Sequence, residues 1–94
     1  MSAKGVEIKD IISVVSEMYS MKPQVLIGPS KERRMVKARA LICHWAVREL
    51  GMAMSKVADH LKLAVSTVSV AVNKGEQIAG DEDLVLADIL NIKI

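Results

Sequence analysis

A chain of 94 residues with 51% apolar and 26% charged side chains has the size of one small domain, burying little more than about 60% of its unfolded surface. Two aromatics (Trp45 and Tyr19), a single cysteine and no apolar run near the roughly 18 residues of a membrane span exclude disulfide-framework, membrane and fibrous classes, and no signal peptide opens the chain. The net charge of +2 hides an asymmetry: residues 29–62 hold eight basic against three acidic groups, a net of +5, while 81–94 carry a net of −3, so an anionic partner is expected for the middle.

In chain order, Ile8, Ile11, Ile12, Val15, Met18 and Tyr19 recur at i, i+3, i+4 and predict an amphipathic helix over 6–19. Lys22-Pro23 ends it, because the residue before proline is pushed out of helical geometry. Pro23 then starts a single turn to Ile27, closed by Gly28-Pro29. Ser30 reads as the N-cap of a long helix over 31–50, with Gly51 just past its end. Met35, Val36, Ala40, Ile42, Cys43, Ala46, Val47 and Leu50 share one apolar arc of that helix. Arg33, Lys37, His44 and Arg48 gather on the other side, where His44 and Arg48 read as solvated. Arg39 lies inside the apolar arc and either pairs with a carboxylate such as Glu49 or Asp59 or reaches an anion beyond the core edge.

Ser55 is placed to cap a helix through Leu61, and Ser66 another to about Ile78. Asp81, Glu82 and Asp83 then read as the N-terminus of an acidic last helix, with Leu84, Val85, Leu86, Ile89 and Leu90 as its apolar side. The fold class is all-α, a small bundle of four or five helices: a helix-turn-helix unit with a basic loop over 1–80, and an acidic helix over 81–94 in the same compact unit.

Residues 54–73 fit a helix-turn-helix. Ala58 is the small residue needed where two helices cross closely, and Val57, Leu61, Leu63, Val65, Val68 and Ala71 stand at the apolar offsets. The turn reads Lys62-Leu63-Ala64, with Lys62 where glycine is commonest, and Lys takes the left-handed conformation at modest cost. The second helix of such a motif enters the major groove of duplex DNA with its N-terminal residues, here Ser66, Thr67, Ser69 and Val70, followed by Asn73 and Lys74. Short hydroxyls allow close approach to phosphates, Asn73 suits adenine, and Val70 or the Thr67 methyl suits the thymine methyl; no Arg is placed for guanine. Lys31, Arg33, Arg34, Lys37 and Arg39 at the entrance of the long helix can clamp phosphates or enter a minor groove.

A helix, a basic loop, a long helix ending in Arg48-Glu49-Leu50 and a helix-turn-helix carrying Ser66-Thr67-Val68 together resemble the C-terminal DNA-binding domain of bacterial DnaA replication initiators, of the Trp-repressor-like superfamily, over about residues 8–79. The resemblance implies a basic loop in the minor groove, carried by Arg33, Arg34 and Arg39, and a recognition helix in the major groove. Ser66 and Thr67 match the family's Thr-Thr pair, and Lys74 matches a phosphate-contacting lysine. The Gly-Gly-Arg-Asp-His stretch before that pair is replaced by Leu63-Ala64-Val65, and a nucleotide-binding loop is absent. Residues 39–43 with 46–51 resemble the version of this domain appended to bacterial repeat-associated transposases. Double-stranded DNA is thus the implied partner, and a cytoplasmic, nucleoid-associated location follows.

Catalysis has no candidate set: no Ser-His-Asp constellation, no phosphate loop and no clustered carboxylates. His44 and His60 lack zinc spacing, Cys43 reads as a core residue, and Tyr19 and Trp45 read as packing residues. No enzyme activity, catalytic residue, metal, cofactor or small-molecule substrate is expected. The rival reading is a protein-interaction domain in which the apolar side of 81–92 docks on a partner or on a second copy as a homodimer.

Overall fold

The computed structural model describes residues 6–26 and 32–84. Among them are α1 (Ile8–Met18), a short 3-10 turn (Pro23–Leu26), α2 (Arg33–Arg48), α3 (Met54–Leu61) and α4 (Val65–Asp81), and no strand. The architecture is therefore the all-α bundle with a helix-turn-helix that the periodicity implies.

α1 opens with the Glu7 backbone N–H donating to Asp10 Oδ2 at 2.9 Å, which satisfies one of the orphan amides of a helix start. Ile8, Ile11, Ile12, Val14 and Val15 are its buried face. In α2 the six consecutive residues 38–43 are all buried, as expected only of a helix enclosed on several sides. The apolar arc read from the sequence was therefore too narrow. Ala38, Leu41 and Trp45 are buried outside it, whereas Met35, Val47 and Leu50 within it are only partly covered. Leu26, Val57, Leu61, Val68 and Val72 complete the core. Burial pushes the Cys43 thiol up to about 12, so it stays protonated and inert, a packing group.

Four helix ends differ from expectation. The N-cap of α3 is Ala53 and that of α4 is Ala64, neither with a side-chain bond to the helix amides; Ser55 and Ser66 lie two residues further in. The described N-cap of α2 is Glu32, Ser30 being outside the described residues. Val65, expected to pack, is 48% exposed. Finally, α4 runs through Gly80 to Asp81, so Asp81, Glu82 and Asp83 end a helix instead of starting one. Asp83 takes φ 53° and the Leu84 N–H donates to the Ala79 carbonyl at 2.8 Å, closing the end. Most of the expected last helix and its dimer surface, including Val85, Leu86, Ile89 and Leu90, lies outside the described residues.

The most extensive helix contact joins α2 to α4, and it turns on Gly75. A Cβ there would meet the Ala40 carbonyl oxygen and lie 2.7 Å from both the Ala40 carbonyl carbon and His44 Cβ. His44, read as solvated, is instead half-buried at this contact; its Nδ1 lacks a hydrogen-bond partner and burial lowers its pKa. Replacing Gly75 by Ala should destabilise the protein by about 1–3 kcal/mol through overpacking. Gly80→Ala, whose added methyl meets nothing within 4 Å, should stabilise it by up to about 1 kcal/mol through helix propensity. Urea midpoints of the two variants are expected to move in opposite directions.

Candidate nucleic-acid interface

Because α2 and α4 touch at Ala40 and Gly75, the residues one turn earlier on each helix, Val36 and Ala71, come to line a common groove. Val36 and Ala40 of α2 face Ser66, Thr67, Val70, Ala71 and Lys74 of α4 around a largely apolar, open cavity of about 390 Å³. A second cavity of similar size adjoins it, lined by Val36, Arg39, Lys62, Leu63, Ala64, Thr67 and Ala71. Val36, Thr67 and Ala71 are common to both, so the start of α4 and the turn before it form one surface with the first turns of α2.

The turn that sets this surface depends on Lys62, which caps α3 in the left-handed conformation at φ 56°, ψ 48°. The next residue's amide, of Leu63, donates to the Ala58 carbonyl at 3.0 Å, the usual closure of such a cap. The Lys62 side chain is exposed at the second cavity. From the sequence Lys62 reads only as a departure in the motif, and its place at the cavity beside α4 was missed, although its charge in the turn was the available signal.

Ser66, Thr67, Val70 and Lys74 all lie on the groove. Asn73 is exposed and follows Ser66 and Val70 along the same helical face; Ser69 is half-buried and does not line the groove. On α2, exposed Arg33 stands one turn before Val36 and on a neighbouring face. Arg34, also exposed, is about 160° round the helix from Val36 by the 100° step per residue. Lys37 donates to Glu82 Oε2 at 3.0 Å, and that bond raises its pKa. Arg48 pairs with Glu76 at 3.5 Å. Arg39 is 6% exposed, engaged within the fold, and forms part of the wall of the second cavity. Burial lowers its pKa, yet a guanidinium remains charged in a protein. Lys31 lies outside the described residues.

The positive charge of the middle segment is therefore partly answered from within, by two carboxylates of α4 and its end. Arg33, Arg34, Lys62 and Lys74 carry no ion pair among the described residues and remain available to an outside anion. The first amides of α4 likewise have no side-chain cap, which leaves donors open to phosphate. No group of three or more potential metal-ligating side chains occurs among the described residues.

A family model described as the bacterial dnaA protein helix-turn-helix matches residues 8–74, from the start of α1 to Lys74 of α4. No curated protein and no solved structure matches the chain.

Glycine adopts the conformation of Lys62 without the steric cost borne by an L side chain. Lys62→Gly should accordingly raise stability by about 0.5–1 kcal/mol, measured by thermal or urea unfolding, while weakening any binding to an anionic partner.

Proposed function

Since the chain belongs to the bacterial dnaA protein helix-turn-helix family, we propose that it is a sequence-specific double-stranded DNA-binding module. In this reading it is the targeting domain of a larger bacterial protein of the replication-initiator-like or transposase kind, working in the nucleoid-associated cytoplasm. The observation that carries the proposal is the shared groove. Val36 of α2 and Thr67 of α4 line the same cavity, with Lys74 on its wall, Lys62 on the adjoining one and Arg33 one helical turn away. The start of α4 enters the major groove, and the unpaired cations grip the backbone on either side.

The division of labour follows from chemistry. Arg33, Lys62 and Lys74, with Lys31 just before α2 in the chain, neutralise phosphates and set orientation without reading sequence, whereas Arg34 lies on the far side of α2 from the groove. Ser66, Thr67, Val70 and Asn73 face or flank the base edges, and half-buried Ser69 stands behind them. Arg39 supports the groove wall from inside, and Lys37 reaches a phosphate only by leaving Glu82. The module itself performs no chemistry; the described helices include none long and apolar enough to cross a membrane.

Fluorescence anisotropy with duplex DNA over a salt series tests this. With about four phosphates neutralised, log K should fall with log salt at a slope near −3.6, and each of Arg33→Ala and Lys74→Ala should flatten it by about 0.9. Both variants should weaken all duplexes about equally, whereas Thr67→Ala or Asn73→Ala should reorder preference among sequences. Absence of salt-dependent binding to any duplex would overturn the proposal.

A further inference from the structure

His44 stands where α2 and α4 cross. Its Cβ lies 2.7 Å from where a Cβ on Gly75 would be, so the imidazole leaves α2 at the closest approach of the two helices. The ring is half-buried, and its Nδ1 is shut off from water with no hydrogen-bond partner. A neutral imidazole can turn a lone pair to that dry position. An imidazolium carries an N–H at both nitrogens and would bury a charged donor without an acceptor. The charged groups that bear on the ring are Glu76 on α4 and Arg48 and Glu49 on α2. Glu76 is engaged by Arg48 at 3.5 Å, and neither carboxylate bonds to Nδ1.

Burial, the largest influence, lowers the pKa of His44 below the usual 6.5. The closed crossing therefore takes up a proton less readily than a loosened one. Its stability is fully present above pH 6.5 and falls as the pH drops below that value. His60, the chain's other histidine, is exposed on α3 and gains charge in acid without this cost, which by itself would strengthen attraction to a polyanion. Resting on the DNA-binding reading above, we propose that His44 is a positioning residue that makes the groove acid-sensitive. While neutral it lets α2 and α4 close; once protonated it favours a looser seam in which Val36 and Thr67 no longer share one surface. A duplex that needs both helices in register then competes with a single proton, and the two are reciprocally linked.

Fluorescence anisotropy at fixed salt, in a His60→Gln background, compares duplex binding at about pH 7.5 and about pH 5.5, a window in which histidines are the side chains that ordinarily titrate. Affinity should be about two- to tenfold weaker in acid, one proton allowing at most about tenfold per pH unit below the usual value. Adding His44→Gln, which is polar but does not titrate, should flatten the profile, with circular dichroism checking that the fold is kept. The ring proton shifts of His44, followed by NMR in the unsubstituted chain, should titrate below pH 6.5 and need no variant at all. Binding near neutral pH with no loss in acid would overturn the inference and leave the DNA-binding reading standing. So would an acid loss that survives His44→Gln, or a His44 midpoint at or above 6.5. Absence of binding to any duplex at neutral pH would overturn the DNA-binding reading, and this inference with it.

Discussion

The contact on which the rest depends is Gly75 of α4 against the Ala40 carbonyl of α2. Two small residues let the helices touch, and every feature of the groove is measured outward from that point. Val36 and Ala71 lie one turn before it; Lys37–Glu82 and Arg48–Glu76 pair across the two helices at the surface. Such exposed pairs contribute little to stability, so packing at Gly75 and the core around Leu41, Val68 and Val72 must fix how α4 sits. Their effect on charge is larger. By occupying Lys37 and Arg48 they leave Arg33, Lys62 and Lys74 as the cations in or beside the groove with no ion pair among the described residues.

The surface so formed is poor in groups that read bases through hydrogen bonds and well supplied with groups that hold phosphate. Uncapped amides at the start of α4, short hydroxyls, and Arg33, Lys62 and Lys74, which carry no ion pair among the described residues, favour affinity of an electrostatic, sequence-independent kind. In the proposed reading, discrimination then falls to a few exposed side chains, Ser66, Thr67, Val70 and Asn73. Their backing is rigid, because Val68 and Val72, on the opposite side of α4, are buried in the core.

The order of the four described helices was legible in the sequence because Ile8–Tyr19 and the 33–48 stretch repeat at helical spacing. Helix ends were not. A serine cap is worth about 1 kcal/mol, less than the burial of Val57, Leu61 and Val68, so packing sets the register and leaves Ala53 and Ala64 at the caps. The buried arc of α2 was misjudged because its alanines carry little periodic signal and the helix is covered on more than one side. Gly80, just past the expected end near Ile78, does not stop α4, because within an otherwise satisfied helix glycine costs only about 1 kcal/mol. Of the candidate site, Ser66, Thr67, Val70 and Lys74 followed from the helix-turn-helix template. The pairing of Lys37 did not, its partner Glu82 being 45 residues away.

Backbone amide NMR shifts of the full chain, followed during titration with an enriched duplex, test most directly whether the first turns of α2 and of α4 present one DNA-facing surface. The account predicts that perturbed amides cluster at 33–36 and 62–74, leaving α1 and the 76–84 end nearly unmoved. Perturbation centred on α1 or on the Glu76–Glu82 end, with 62–74 silent, would contradict it.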